Sequence, residues 1–224
     1  MKLSIIIPCY NESKDIKNKV QDFVIPFLKE NNFDYELILV NDGSKDNTKE
    51  VISSIPGVIA TGYDINRGIG GAVKCGIENS SGDYICFMDA DLSTDLKAFN
   101  DAIPLLNKYD IVIGSRHMKE SVLPIKAPLK RRIISKGCHF VVNTKFGFKY
   151  KDTQCGFKIF KSNIARAIAE KQIINKFAFD VEYLYIAKLN NISVIEMPVT
   201  WRDDRGSTVS PIKSSLKFFS DLRK

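Results

Sequence analysis

The sequence predicts an α/β fold, a mainly parallel, Rossmann-like sheet with helices on both faces. Short apolar runs that read as strands alternate with segments of helical period, in β-α-β-α order. The run Tyr84-Ile85-Cys86-Phe87-Met88 stops at Asp89-Ala90-Asp91, as a buried strand would at a sheet edge. With 224 residues and 44% hydrophobic content, the chain can bury one large core.

The elements follow in order. Leu3 to Ile7 is a strand stopped by Pro8, and residues 13–30 carry a helical pattern. Tyr35 to Val40 is a second strand, ending in Asn41-Asp42-Gly43-Ser44. Ser44 is placed to cap a helix reaching about Ser54. Residues 57–63 form a third strand, and Arg67 to Asn79 a glycine-rich helix start and helix. Residues 83–88 precede the acid pair, 95–107 are helical, and Asp110 to Gly114 is a strand. Beyond it, residues 128–147 form a basic helix, 156–160 a short strand, 163–170 a helix, Phe179 to Asn190 a helix and Ser193 to Val199 a strand. After Pro211, Ile212, Leu216, Phe219 and Leu222 recur at helical spacing opposite Lys213, Lys217 and Arg223. That pattern fits either core packing or an interfacial amphipathic helix.

Composition excludes several classes. No stretch approaches the roughly 20 apolar residues of a membrane-spanning helix, and no signal peptide is visible. The five cysteines are scattered without a Cys-x-x-Cys pair, so neither a zinc site nor a disulfide framework is expected. The expected compartment is the reducing cytoplasm. The net charge is +7, but Arg116 to Lys151 alone holds ten Lys/Arg against Glu120, a local +9. Such a segment suits an anionic partner. A membrane surface or phosphates fit better than nucleic acid, for which no binding motif is present.

The turns carry the chemistry. Two acids one residue apart repel each other, and a hard divalent ion shared with substrate phosphates relieves the repulsion. Pro8-Cys9-Tyr10-Asn11-Glu12 has no glycine, so it is not a dinucleotide-binding turn. It offers a ring, an amide and a carboxylate to a nucleobase. Asp42 is a candidate acceptor for an N–H of that base. Asn66-Arg67-Gly68-Ile69-Gly70-Gly71 opens a helix whose free N–H groups would bind an anion, with Lys74 one turn in. Asp180 and Glu182 lie on opposite sides of one helix turn, so they cannot both face the site.

These four turns resemble those of the inverting glycosyltransferases of family 2, which have the GT-A fold. Leu3 to Glu12, Val40 to Thr48, Asn66-Arg67-Gly68 and Met88 to Thr94 carry the likeness. Gly114-Ser115-Arg116, Asp152-Thr153-Gln154-Cys155-Gly156-Phe157-Lys158, Phe179-Asp180-Val181-Glu182 and Trp201-Arg202-Asp203-Asp204 are similar to polyprenyl-phosphate sugar transferases, the dolichyl-phosphate β-glucosyltransferase group in particular. The chain departs at Ile69, where glucosyl members usually have lysine, and at Asn41, where the first acid of Asp-Asp-Gly-Ser usually stands.

The resemblance implies a single GT-A domain over 1–224. Residues 1–115 would bind the nucleotide-sugar, and 116–224, with amphipathic interfacial segments, the acceptor. The implied donor is UDP-glucose ahead of GDP-mannose. The implied acceptor is a polyprenyl or dolichyl phosphate at the cytoplasmic face of a membrane, in protein glycosylation. A diacylglycerol or polysaccharide acceptor is the alternative. Mg2+ or Mn2+ would sit on Asp89 and Asp91. Pro8, Tyr10, Asn11, Glu12, Asp42, Arg67, Gly68, Lys74 and Asp89-Ala90-Asp91 would contact the nucleotide-sugar. Asp152 and Gln154 would lie close to the transferred sugar, Asp152 serving as base if the acceptor is a hydroxyl. Arg116 and Arg131 would hold the acceptor phosphate, with Lys130 and Arg132 as neighbours.

Overall fold

The computed structural model describes residues 1–124, 129–202 and 221, with side chains in the basic helix described from Gly137 onward. Arg131, its neighbours Lys130 and Arg132, and the amphipathic pattern after Pro211 lie outside the described side chains. So do Asp203 and Asp204.

Seven strands form one sheet in the order β3-β2-β1-β4-β6-β5-β7. β1 (Lys2–Cys9), β2 (Asp34–Asp42), β3 (Val58–Tyr63) and β4 (Tyr84–Met88) are parallel, with Ile6 opposite both Ile38 and Phe87. β5 (Ile111–Ser115) and β7 (Val194–Pro198) are parallel to each other. β6 (Phe157–Lys161) lies between β4 and β5 and runs antiparallel to both. Its direction matters for the site. An antiparallel strand enters where β4 leaves, so Phe157 pairs with Met88 and the 152–156 turn arrives beside Asp89.

Alternating side chains on the strands divide the core in two. One face carries Leu3, Ile5 and Ile7. It is covered by α1 (Ile16–Asn18), a π-helical stretch (Lys19–Val24), α2 (Ile25–Glu30), α3 (Thr48–Ser53) and α5 (Ala98–Leu105). The other carries Ile6, Ile38 and Val40. It is covered by α4 (Ile69–Glu78), α6 (Leu129–Phe146), α7 (Ser162–Lys171) and α8 (Phe179–Leu189). Helices therefore lie on both faces, as the alternation implies.

Local chemistry explains the departures in detail. The helix expected over 13–30 contains the π-helical stretch just before Pro26, whose missing N–H cannot close an α-helical bond. α3 begins at Thr48 rather than at Ser44. Ser44 Oγ instead accepts the Asn11 N–H at 3.1 Å, while Asp46 accepts the Thr48 N–H at 3.1 Å. In the basic segment, Val142 and Phe148 are core, but Phe140 is 72% and Val141 44% exposed. Among the described residues, no helix is long and apolar enough to cross a membrane.

Candidate active site

The carboxyl ends of β1 and β2 are laced together. Asn11 Oδ1 accepts the Lys45 N–H at 2.8 Å, Glu12 N–H donates to Thr48 Oγ1 at 2.8 Å, and Ser13 Oγ donates to Asp46 at 2.6 Å. Asn11 itself has φ 58°, a left-handed conformation that asparagine tolerates. The lacing fixes Pro8 to Glu12 as a shelf whose Tyr10 ring is 42% exposed, available for stacking.

Asp42 has a different task from the one expected. Its buried carboxylate accepts the N–H of Arg67 at 2.9 Å and of Gly68 at 3.1 Å, and the amide of Asn66 at 2.9 Å. It shapes the Asn66-Arg67-Gly68 turn, with most of its acceptor capacity used inside the protein. The same contacts narrow the anion site expected at the start of α4. The N–H groups of Arg67 and Gly68 go to Asp42, and that of Gly71 goes to Asn175 O at 3.0 Å. Among the described residues the N–H groups of Ile69 and Gly70 bond no acceptor, so an anion there would meet those two donors and side-chain cations. Arg67 lies 4.4 Å over the Tyr63 ring, and Lys74 is half-buried one turn into α4.

The acid pair follows β4. Asp89 N–H donates to Gly156 O at 3.2 Å, and the Asp89 carboxylate lies against Gly156, where any Cβ would overlap it. Ala90 is buried, Asp91 Oδ1 accepts the Ser93 N–H at 2.8 Å, and Leu92 takes a left-handed φ of 57°. The segment after β7 clamps this loop. Asp95 N–H donates to Thr200 O at 2.9 Å and Arg202 N–H to Ser93 O at 2.8 Å. Burial, then the charges of Asp91 and Asp180, push Asp89 up to about 7 against the pull of Lys158 and Arg116. Burial also raises Glu12, Lys19 opposes it, and Asp91 adds to the rise, which sets the first turn within electrostatic reach of the acids.

Arg116 and Asp152, expected on two different ligands, hold each other. Arg116 Nε donates to Asp152 Oδ2 at 2.6 Å and Nη2 to Oδ1 at 2.9 Å, and the Arg116 backbone N–H adds a third bond at 3.0 Å. Burial alone would raise Asp152, but the Arg116 charge and hydrogen bonds hold it well below the usual carboxylate range. It is therefore a poor general base, and that expected role is corrected. Among the described residues Arg116 Nη1 bonds no acceptor, and the guanidinium is oriented by Asp152 and by the Trp201 ring, 5.4 Å away. Trp201 thus packs under a guanidinium. Gln154 is exposed beside this pair, its N–H on Asp152 Oδ1 at 3.1 Å. His117 and His139, the chain's two histidines, approach to 6.4 Å between ring centroids.

Two further residues belong to the site. Lys158, fully buried on β6, donates to Asp180 Oδ1 at 2.5 Å and Cys155 O at 2.7 Å. Glu196 on β7 accepts the N–H of Lys151 at 2.8 Å and Asp152 at 2.9 Å. The signal for both was a charge inside an apolar strand, Phe157-Lys158-Ile159-Phe160 and Val194-Ile195-Glu196-Met197. Asp180 and Glu182 do diverge, Glu182 turning away to bond Ile173 and Ile174.

The charges decide whether a cation fits. When all are ionised, Asp89, Asp91, Asp152 and Asp180 exceed Arg116 and Lys158 by two negative charges, and Asp89 accepts no hydrogen bond on its carboxylate among the described residues. No group of three or more His, Cys, Asp or Glu converges among the described residues. A Mg2+-like ion held by one or two carboxylates and completed by substrate oxygens matches that donor set.

The chain matches the family model described as Glycosyl transferase family 2 over residues 4–169. The dolichyl-phosphate β-glucosyltransferase of Dictyostelium discoideum is 38% identical over 237 residues, covering 98% of this chain and 72% of that protein. The human protein of that name is 34% identical over 239 residues, covering 99% and 74%. The glucosyl-3-phosphoglycerate synthase of Mycobacterium tuberculosis, solved with Mn2+, uridine-diphosphate and glucosyl-3-phosphoglycerate, aligns with a TM-score of 0.72 at 14% identity, covering 99% of this chain and 78% of that one. Mannosyl-3-phosphoglycerate synthase from Rubrobacter xylanophilus aligns with a TM-score of 0.74 at 13% identity, covering 100% and 73%. At such identities the likeness shows the fold alone, which is GT-A. The chain belongs to glycosyl transferase family 2 and is a glycosyltransferase.

Proposed function

We propose that the protein transfers glucose from UDP-glucose to a dolichyl or other polyprenyl phosphate, with inversion, at a membrane surface. The observation that carries this reading is the acid pair Asp89 and Asp91 at the carboxyl edge, Asp89 accepting no hydrogen bond on its carboxylate among the described residues, in a chain whose relatives are named dolichyl-phosphate β-glucosyltransferase.

Each part of the site has a task in that reaction. The shelf from Pro8 to Glu12 receives the base, with Tyr10 to stack on it. Asp42 reaches the nucleotide indirectly, by shaping the turn that carries Arg67. Asp91 and Asp89 would hold Mg2+ or Mn2+. When bound, such an ion withdraws charge from the leaving diphosphate as a Lewis acid. No general base is needed, because a phosphate monoester has a second pKa of about 6 and is ionised at neutral pH. The low basicity of Asp152 agrees with that. Asp152 and Gln154 serve the sugar side, Asp152 by aiming Arg116. The remaining donors of Arg116, with Arg131 on α6, hold the acceptor phosphate. The donor half, 1–115, and the acceptor half, 116–224, divide roles and not folds, since β6 of the second half pairs with β4 of the first.

The membrane part of the reading is supported by the +9 segment and by exposed Phe140 and Val141. Basic residues near an anionic surface contribute about 1 kcal/mol each. The protein is expected to sediment with anionic liposomes at low salt, at the cytoplasmic face in the cell. Staying in the supernatant would remove the membrane reading. The activity is tested with radiolabelled UDP-glucose and GDP-mannose, polyprenyl phosphate, and Mg2+ or Mn2+. Label from UDP-glucose should enter the lipid phase. Label from GDP-mannose alone, or transfer only to added diacylglycerol, would contradict the assignment.

A further inference from the structure

The first turn of α8 carries two carboxylates that no step above uses directly. Asp180 lies within electrostatic reach of Asp89. Its Oδ1 holds Lys158 Nζ at 2.5 Å, and Lys158 also donates to Cys155 O at 2.7 Å and lies 5.3 Å from the Phe87 ring centroid. Lys158 is opposite Phe87 in the β4–β6 register, and the Cys155-Gly156 turn it holds is the one on which Asp89 rests. A chain of contacts therefore runs from Asp180 to Asp89.

Glu182 faces the other way, as residues two apart on a helix must. Its two oxygens accept the N–H groups of Ile173 and Ile174 at 2.8 and 2.9 Å. That anchors the 172–178 connection, which lies on the Asn66-Arg67-Gly68 turn. Asn175 O accepts the Gly71 N–H at 3.0 Å, and Gln172 Nε2 donates to Gly70 O at 2.9 Å. Gly68 and Gly70 lack a Cβ where one would overlap Asn175 and Phe179. Tyr183, also on α8, donates to Gln172 Oε1 at 2.7 Å.

We propose that Asp180 and Glu182 are positioning residues for two different parts of one reaction. Asp180, through Lys158, sets the place of Asp89. Glu182, through the 172–178 connection, sets the nucleotide-side turn. This rests on the reading of the site as a nucleotide-sugar transferase. One rigid turn then mounts both the leaving-group acids and the donor loop, and the two carboxylates should separate by kinetic parameter.

The test uses the full chain with Asp180→Asn and Glu182→Gln, measuring kcat, donor KM and calorimetric binding of UDP with and without Mn2+. Asp180→Asn should lower kcat by about tenfold or more and reduce the Mn2+ enhancement of UDP binding, with the UDP affinity measured without Mn2+ within about twofold. Glu182→Gln should weaken UDP binding and raise donor KM by about fivefold or more, with kcat within about threefold. Equal changes in the same parameter, or no change in either variant, would overturn the proposal. If Asp180→Asn does not fold, Lys158→Met with Asp180→Asn leaves neither charge unpaired, and wild-type kcat in that variant would overturn it. A wild-type chain that moves no sugar counts against the proposed function. The Glu182 arm is then decided by UDP binding alone.

Discussion

Two carboxylates near opposite ends of the central strands meet opposite fates. Glu36 lies toward the amino end, bonded by Ser4 Oγ at 2.6 Å and Ser81 Oγ at 2.7 Å and paired with Lys2 at 2.6 Å. Burial alone would raise it, but these partners hold it at about 2. Asp89, at the carboxyl end, has charges of its own sign nearby and is pushed up to about 7. Among the described residues, the sheet is thus finished with satisfied charge at one edge and left short of positive charge at the other. A half-buried carboxylate held away from its usual ionisation at a sheet's carboxyl edge is a candidate for binding a ligand.

The comparison is broken most directly at Asp89. Its raised value means that the unfolded chain ionises first as pH rises. The native state then binds more protons, so stability falls between about pH 4 and pH 7. Asp89→Asn should remove that loss, giving a metal-free Tm at pH 8 no lower than wild type, while transfer drops by about a hundredfold or more. A variant that melts lower and still turns over normally would reverse the contrast.

Arg116→Ala comes next. It leaves Asp152 buried and unpaired, which costs about 3–5 kcal/mol. At about 2–4 °C per kcal/mol for a chain this size, Tm should fall by roughly 6–20 °C. The KM for the lipid phosphate should rise more than that for the nucleotide-sugar. An unchanged Tm would mean that Arg116 serves only the acceptor.

Asn41→Asp tests the departure in the second turn. Asn41 donates to Tyr63 O at 3.2 Å and accepts the Ser44 N–H at 3.1 Å, so it needs one donor and one acceptor. An aspartate sets two acceptors face to face, at a cost of about 1–3 kcal/mol in thermal or chemical melts. The smallest effect is expected at the satisfied edge. Glu36 has a depressed value, so its contribution is complete above its ordinary 4.5 and is lost as pH falls toward about 2. Glu36→Gln should flatten the acid limb of a Tm–pH profile and leave transfer unchanged.

Much of this architecture was legible in the sequence. The strand–helix alternation and the acid pair are local patterns, and apolar period and turn chemistry suffice to read them. The partnerships were not legible, because they depend on strand direction. Nothing in Phe157 to Phe160 states that β6 runs antiparallel, yet that direction brings Asp152 to Arg116, 36 positions away, and Lys158 to Asp180. Asp42 was placed at the correct edge, but its occupation by Arg67 and Gly68 depends on how closely Gly43 lets the third turn approach, with no room for a Cβ beside Asn66. A single charged residue within an apolar strand, as at Lys158 and Glu196, was the one local sign of those contacts.

The central claim is that the carboxyl-edge acids stand short of positive charge in order to hold a divalent ion against a nucleotide diphosphate. Calorimetric titration of UDP into the full chain, with and without Mn2+, tests it in wild type and Asp91→Asn. The account predicts that Mn2+ tightens UDP binding by about tenfold or more in wild type, equal to about 1.4 kcal/mol, and by about twofold or less in the variant. The same Mn2+ enhancement in both proteins would contradict it.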